Sequence, residues 1–242
     1  MFGCIGTTGT FAARMYVSDL SGTDEDYDRW YMSMPRNRQE KADRYKVGVA
    51  KKRCIKAFAL LEYAIRDLIA DTGDKISSDC AAPIPLCEDE KGKPYIEGDP
   101  FFINLSHSGQ RVAAALAPCR VGCDVEQTCR DGIGIAKHFF AKEETGYLSA
   151  IGDEAGQRSE FARLWTCKES IVKCTGEGLG RELDDFSLID ANGKRVNEVK
   201  LSGQDEVYHV HTFGEYDGYC YSICSTCDCT EDNIRFVRIQ DE

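Results

Sequence analysis

The sequence predicts an α+β fold, and three features of its hydrophobic pattern carry that prediction. Two long stretches, residues 47–70 and 159–176, place apolar side chains on one face at three- and four-residue steps, as amphipathic helices do. From Phe186 onward, short alternating bursts such as EVYHVHTF and YCYSIC are typical of antiparallel strands. Strand pairs joined by short turns favour α+β over a doubly wound parallel sheet.

The remaining elements follow along the chain. Residues 11–19 predict a first strand, and DEKGKPYI predicts a turn followed by a short extended segment. RVAAALAPCRVGCDVEQ predicts two strands joined through a turn at Pro118, and IAKHFFAKEETGYLSAI predicts a helix. The second long helix is expected to end at Gly176, because glycine readily adopts the left-handed conformation that terminates many helices.

Composition limits the class of protein. The 242 residues are 42% hydrophobic, which supports a sizeable core in one domain or two. No run reaches the roughly 18 apolar residues of a membrane span, and the N-terminal MFGCIGTTGTF lacks the basic and apolar regions of a signal peptide. We therefore expect a cytoplasmic protein with no membrane partner, whose first ten residues form a flexible extension.

The thirteen cysteines are expected to be reduced thiols rather than a disulfide framework, because nothing indicates secretion. Only Cys224, Cys227 and Cys229 have ligand-like spacing. A structural zinc site needs four ligands, and no matching second pair is present in the sequence. We therefore favour a cysteine-rich strand and its exit turn over a metal site.

Charge is distributed unevenly. The formal net charge of −11 argues against nucleic acid as a partner. Residues 36–56, however, hold nine basic side chains against Glu40 and Asp43, so this segment is +7 and the remainder −18. The basic segment is either a solvated helix face or the binding site of a specific anion.

Two carboxylates in RVGCDVEQ raise a question about charge. Asp124 and Glu126 point the same way from a strand, while Val121, Cys123 and Val125 point the other way. Like charges at this spacing repel each other, unless solvent or a divalent cation screens them. The strand alone leaves both possibilities open.

The second long helix offers partners for these carboxylates. Glu169 and Lys173 are four residues apart and share a face, and Lys168 adds a second cation. Three carboxylates with two lysines would suit Mg2+ and a phosphate-containing substrate. NLSHSG predicts a tight polar turn whose residues 106–108 either donate to a phosphate or are simply solvated.

Together these segments resemble the surfactin-type 4'-phosphopantetheinyl transferases. The resemblance rests on GKPY, NLSHSG, GCDVEQ, FFAKEE and LWTCKESIVKCTGEGL in this order, and it runs from about residue 35 to residue 186. It implies two similar α+β halves related by pseudo-twofold symmetry, which we divide into residues 1–117 and 118–242. It also implies transfer of the 4'-phosphopantetheine group from coenzyme A to a serine of an apo acyl or peptidyl carrier protein, with release of adenosine 3',5'-bisphosphate and a requirement for Mg2+.

The resemblance assigns roles to individual residues. Asp124, Glu126 and Glu169 match the metal-binding carboxylates, and Glu169 also matches the group that deprotonates the carrier serine. Lys173 matches the lysine that contacts the pyrophosphate, so the expected catalytic residues are Glu169, Lys173 and Asp124. The expected coenzyme A contacts are, besides Lys173, Arg38, Lys41, Arg53 and His107 around the 3'-phosphate, and Gly92, Lys93, Pro94 and Ser106 near the adenosine.

Other positions complete this interpretation. Glu144 matches an acidic position that is structural or faces the carrier, and Gln127 stands where many relatives carry a basic residue. The segment after Gly176, with Leu179, is the hypothetical carrier contact, and a monomer is expected. Two alternatives stay open: a non-catalytic coenzyme A or carrier-binding protein on the same scaffold, and a Mg2+-dependent phosphohydrolase on an unrelated fold. Because all of the motif residues are present, we expect an active enzyme.

Overall fold

The computed structural model describes residues 11–72, 84–98, 101–128, 132–229 and 231–239. Its helices are α1 (Asp24–Ser33), α2 (Arg36–Asp43), α3 (Gly48–Thr72), α4 (Ile133–Phe139), α5 (Lys142–Ser149) and α6 (Glu154–Thr175). Its strands are β1 (Arg14–Asp19), β2 (Leu86–Glu88), β3 (Pro94–Ile96), β4 (Phe102–Ser108), β5 (Arg111–Ala117), β6 (Val121–Gln127), β7 (Glu198–Lys200), β8 (Val207–Tyr216), β9 (Tyr219–Ser225) and β10 (Ile234–Phe236).

The strands form two four-stranded sheets and one short hairpin. The first sheet has the order β10-β1-β5-β4, the second has the order β6-β9-β8-β7, and β2 pairs with β3. All neighbouring strands are antiparallel except β1 and β10, which are parallel. Mostly antiparallel sheets combined with separate helices confirm the predicted α+β class.

Each sheet packs against one long helix on one face and against the other sheet on its opposite face. Along β5, Val112, Ala114 and Leu116 pack in the core beneath α3. The intervening Ala113 and Ala115, together with Ala117, belong to a separate core that they share with the apolar residues of β6 and β9. A third core lies between α6 and the second sheet. Period-two alternation in the strands therefore produces a helix–sheet–sheet–helix arrangement.

The two long helices match the sequence prediction closely. The predicted helix over residues 47–70 is α3, and the predicted stop at Gly176 is confirmed, with a left-handed φ of 74°. α6 begins five residues earlier than predicted, because the Asp153 side chain accepts a hydrogen bond from the Gly156 N–H and caps the helix.

Two local predictions were wrong. The predicted helix over residues 135–151 is broken into α4 and α5, where Glu144 reaches back to the Ala141 N–H and starts a new helix. The predicted turn in NLSHSG is also wrong, because residues 104–108 of this segment belong to β4. This strand pairs along its whole length with β5.

The cysteine prediction was wrong for one pair. Cys119 and Cys227 form a disulfide that joins the approach to β6 with the exit from β9, where these two strands are paired. Eight other cysteines in the described residues are free, and seven of them are buried. Cys227 is therefore a disulfide partner rather than a metal ligand.

Some predictions fall outside what the structure describes. The first ten residues and the Leu179 side chain are among these. Within the described ranges, none of the helices is both long enough and apolar enough to cross a lipid bilayer. The division at residue 117 stays a prediction, and the sheet order adds that β10, near the C-terminus, lies in the first sheet.

Candidate active site

A cavity of about 410 Å3 lies where α6, β4 and β6 meet the basic helices α2 and α3. Ten of the twelve predicted site residues line it: Arg38, Lys41, Gly92, Pro94, Ser106, His107, Asp124, Glu126, Glu169 and Lys173. The strand and the helix that sequence spacing could not connect are therefore adjacent in the fold.

Gly122 permits this close approach. A Cβ atom at this position would overlap the carbonyl oxygen of Ser170 and the backbone nitrogen of Cys174, both on α6. Only glycine lets β6 and α6 pack at this distance. The glycine two residues before Asp124 thus brings Glu169 and Lys173 of the helix close to the strand carboxylates.

Asp124 is a buried carboxylate that is hydrogen-bonded within the site. It is 4% exposed, and its Oδ1 accepts hydrogen bonds from Lys173 Nζ at 2.6 Å and from Ser106 Oγ at 2.8 Å. Its Oδ2 is buried and has no hydrogen-bond partner in the part of the chain that the structure describes. A buried carboxylate oxygen without a partner carries a desolvation cost that a bound cation would offset.

Polar side chains of β4 attach its edge to the edge of β6. Ser108 Oγ donates to Glu126 Oε2 at 2.9 Å, two residues beyond the contact between Ser106 and Asp124. Further along the strand, the Asn104 side-chain oxygen accepts the Cys123 backbone N–H at 2.9 Å. The same two strands therefore hold both carboxylates in register.

The surroundings raise the pKa of both Glu169 and Lys173, which disfavours the charged form of the glutamate and favours that of the lysine. Burial raises the pKa of Glu169, Asp124 and Glu126 raise it further, and Lys173 opposes them. Burial by itself would lower the pKa of Lys173, but the adjacent Asp124 carboxylate raises it above the ordinary lysine value. Lys173 is therefore a retained positive charge, and Glu169 is a stronger base than an exposed glutamate.

The donor set fits a hard divalent cation in its chemistry. Asp124, Glu126 and Glu169 offer carboxylate oxygens, and the unpartnered Asp124 oxygen provides one ready ligand. Among the described residues, however, no three acidic, histidine or cysteine side chains are already arranged to surround a metal ion. Lys173 contacts Asp124 instead, so the carboxylates would have to converge on an ion as it binds.

The basic end of the cavity contains an acid that sequence analysis missed. Arg38 and Lys41 both form ion pairs with Glu88 at the end of β2. Roughly fifty residues separate the partners along the chain, and Glu88 appears in the sequence as one of several acids near a turn. No sequence signal distinguished it.

The other predicted coenzyme A contacts lie nearby. Desolvation lowers the pKa of the His107 imidazole, and the positive charges of Arg53 and Lys173 act in the same direction. Arg53 does not line the cavity, because its Nε donates to the Gly109 carbonyl at 2.8 Å. Lys93 lines a neighbouring cavity and donates to the Cys174 carbonyl at 3.0 Å.

Lys168 does not belong to the site, contrary to its grouping with Lys173 in the sequence analysis. It is fully buried, forms an ion pair with Glu144 at 2.8 Å, and donates to the carbonyls of Leu183 and Phe186. Glu144 also accepts the Leu188 N–H at 2.9 Å. The pair is structural: it attaches the segment that follows α6 to the helix itself.

Comparison with known proteins places this site in a family. A family model described as the 4'-phosphopantetheinyl transferase superfamily matches residues 120–224. A 4'-phosphopantetheinyl transferase of Bacillus subtilis is 32% identical over 213 residues, which are 83% of this chain and 94% of that protein. The chain belongs to the 4'-phosphopantetheinyl transferases.

Further relatives indicate the branch of the transferase family. A second Bacillus subtilis transferase is 34% identical over 81% of this chain and 89% of its own length. The Sfp transferase of Bacillus subtilis strain 168 is 33% identical over 63% of this chain and 67% of its own length. The chain is therefore a surfactin-type transferase, and the non-catalytic alternative is not favoured.

A second cavity of about 580 Å3 adjoins the transferase site. It shares Trp165, Glu169 and Lys173 with the first cavity, and its own walls include the apolar side chains of Phe139, Val172 and Leu183. The Glu169–Lys173 pair thus lies where a charged cavity and a more apolar cavity meet.

Proposed function

We propose that this transferase moves the 4'-phosphopantetheine group of coenzyme A to a serine of an acyl or peptidyl carrier protein, with Mg2+ as cofactor. One observation supports the site assignment above all others. Glu169 and Lys173 line the same cavity as Asp124 and Glu126, and the cations Arg38 and Lys41 line it too. That arrangement provides a base, a positive charge that can stabilise the leaving group, and a binding site for the 3'-phosphate of coenzyme A.

Glu169 is the base in this proposal. Its carboxylate lines the cavity beside Lys173, where an oxygen can accept the proton of a serine hydroxyl. The serine oxygen bonds to the phosphorus that carries the pantetheine, and the bond from that phosphorus to the bridging pyrophosphate oxygen breaks. The electron pair leaves with adenosine 3',5'-bisphosphate.

Lys173 stabilises the leaving group. Its pKa is raised, so the ammonium stays protonated and offsets the negative charge that develops on the departing phosphate. Asp124, Glu126 and Glu169 would hold Mg2+, which supplies further stabilisation of charge on the pyrophosphate. Ser106 and Ser108 keep the two strand carboxylates oriented through their hydroxyl groups.

The two cavities suit the two ends of coenzyme A. We assign the 3'-phosphate to the end with Arg38 and Lys41, close to His107. The more apolar cavity, with Phe139 and Val172, has the chemistry to take the pantetheine arm.

Several finer statements remain predictions. The segment after Gly176 is the proposed carrier contact, because it follows the catalytic helix directly and borders the second cavity. A monomer, a cytoplasmic location and the absence of nucleic-acid and membrane partners are likewise proposed.

Intact-mass spectrometry of an apo carrier protein, incubated with the transferase, coenzyme A and Mg2+, tests the proposal. A gain of ~340 Da, the mass of the transferred group, is expected in the complete mixture. The gain should disappear with EDTA or with Glu169→Gln. Glu154→Gln, an exposed glutamate on the same helix, is the matched control and should transfer normally.

Calorimetry of coenzyme A binding completes the design. Glu169→Gln should still bind coenzyme A, which would show that the variant lost the chemistry rather than the fold. A wild-type protein that binds coenzyme A yet modifies none of several carriers would contradict the assignment. Transfer that persists in EDTA would remove Mg2+ from the mechanism.

A further inference from the structure

Both cations assigned to the 3'-phosphate of coenzyme A contact a single carboxylate. Arg38 Nη1 and Lys41 Nζ each donate to Oε1 of Glu88. All three side chains line the cavity of the proposed site. A phosphate group that reaches these cations would therefore meet a carboxylate already bound to them.

Arg38 has binding capacity that Glu88 does not use. Its side chain is 7% exposed, and its Nε is buried without a hydrogen-bond partner among the described residues. An unpaired guanidinium N–H at a buried position is costly. Phosphate presents several oxygens, which a guanidinium can engage through two parallel hydrogen bonds. A phosphate can offer each cation an oxygen of its own, whereas Arg38 and Lys41 now share one oxygen of Glu88.

We propose that Glu88 is a specificity-determining residue that competes with the 3'-phosphate of coenzyme A for Arg38 and Lys41. This inference rests on the proposed function, since it uses the assignment of these cations to the 3'-phosphate. In the free protein, Glu88 neutralises part of their charge. When the ligand binds, the cations exchange a carboxylate oxygen for phosphate oxygens, and Glu88 is left beside a dianion that it repels. Glu88 therefore reduces the preference for coenzyme A over its 3'-dephospho form.

Binding of coenzyme A and of 3'-dephospho-coenzyme A, measured by calorimetry, tests this role. Glu88→Gln keeps the size of the side chain and removes its charge. We expect the Kd for coenzyme A to fall about five- to tenfold, while the Kd for the dephospho form stays unchanged. The gain for coenzyme A should shrink as salt is added, because screening weakens the interaction of the ligand with the exposed cation Lys41.

Glu90→Gln is the matched control. Glu90 is an exposed carboxylate two residues after Glu88, in the turn that follows β2, so this variant changes the net charge equally. It should leave both Kd values unchanged. Circular dichroism confirms folding of each variant, and Glu88→Ser provides a second removal of the charge.

Each alternative outcome overturns the proposal in a recognisable way. Weaker coenzyme A binding by Glu88→Gln would show that Glu88 orients Arg38 and Lys41 for the phosphate and does not compete with it. An equal fall in Kd for both ligands in Glu88→Gln, or the same fall for coenzyme A in Glu90→Gln, would show that only the net charge of the protein matters. Equal Kd values of the wild-type protein for both ligands would contradict the assignment of Arg38 and Lys41 to the 3'-phosphate, and with it the proposed role of Glu88. Transfer to a carrier, measured separately by mass, would still stand in that case.

Discussion

Lys168 and Lys173 lie five residues apart on α6, and the helix carries them into different environments. Each residue turns the helix by about 100°, so five residues place the two side chains roughly 140° apart. Lys173 reaches Asp124 in the cavity, whereas Lys168 is buried against Glu144. Helical geometry thus separates a lysine of the site from a lysine of the core.

The buried pair should matter for stability. Lys168→Met leaves the fully buried Glu144 carboxylate without its counter-charge, although two backbone N–H groups still bind it. Breaking a buried ion pair on one side costs about 3–5 kcal/mol in free energy of unfolding. Urea denaturation measures this loss, and Lys142→Met, at an exposed position on α5, is the control. A loss equal to that of the control would show that the pair contributes nothing. The Lys168→Met/Glu144→Gln double variant should recover part of the loss.

The environment of Lys56 should make the free energy of unfolding depend on pH. It is fully buried, donates to the Ser21 carbonyl at 2.8 Å and lies 3.9 Å from the centre of the Trp30 ring. Burial lowers its pKa from the ordinary 10.5 to about 8. Between these values the unfolded chain holds a proton that the folded protein has released, so the contribution of Lys56 to stability rises with pH.

Denaturation at pH 8 and pH 9.5 isolates this contribution. Relative to Lys56→Met, the wild-type protein should gain about 1–2 kcal/mol of unfolding free energy between the two pH values. Lys52→Met, at a half-exposed lysine of the same helix, should run parallel to the wild type. A parallel course for Lys56→Met as well would mean that Lys56 titrates normally in the folded state.

At the scale of elements, the contact between β6 and α6 determines the geometry of the site. Gly122→Ala should push the helix away from the strand, since the added methyl group meets helix backbone that cannot turn aside. We expect a loss of at least about 3 kcal/mol of stability and a larger relative loss of transfer activity. Gly134→Ala in α4 has open space at its Cβ and should be neutral or slightly stabilising. Normal stability and activity in Gly122→Ala would show that the strand and helix are not held at this distance.

The two long helices and most strands could be predicted because their apolar residues repeat with the right period. The two-residue spacing of Asp124 and Glu126 likewise placed both on one face of β6, where they line the cavity. The break between α4 and α5 could not be predicted, because it depends on the Glu144 side chain satisfying a backbone N–H. Glu88 could not be predicted either, since its pairing with Arg38 brings together residues fifty positions apart. Hydrophobic periodicity predicts local structure, but it does not predict contacts between residues that are distant in the sequence.

At the scale of the whole molecule, the site belongs to neither sheet alone. β4 supplies the serines and β6 supplies the carboxylates, and these are edge strands of different sheets. The basic helices α2 and α3 pack on the first sheet, and α6 packs on the second. Loss of contact between the sheets should therefore separate the proposed phosphate-binding cations, Arg38 and Lys41, from the proposed catalytic pair, Glu169 and Lys173.

The disulfide between Cys119 and Cys227 closes a loop that contains α4, α5, α6 and all four strands of the second sheet. The two cysteines are 108 positions apart, and cross-linking so long a loop removes much conformational freedom from the unfolded chain. Reduction, or Cys119→Ser, should lower the free energy of unfolding by about 2–5 kcal/mol. The folded site should change little, because β6 and β9 remain paired by their backbone ladder.

Thiol titration of the unfolded protein, with and without prior reduction, tests this bond directly. Reduction should expose two additional thiols in the wild-type protein, and dithiothreitol should shift its urea midpoint but not that of Cys119→Ser. Cys87→Ser, which removes a free, half-buried thiol on β2, is the control and should keep the full response to dithiothreitol. Equal thiol counts before and after reduction would show that Cys119 and Cys227 are reduced, as the sequence analysis expected of all the cysteines. In that case the close pairing of β6 and β9, rather than a covalent link, would have to hold the edge of the sheet that presents Asp124 and Glu126 to the cavity.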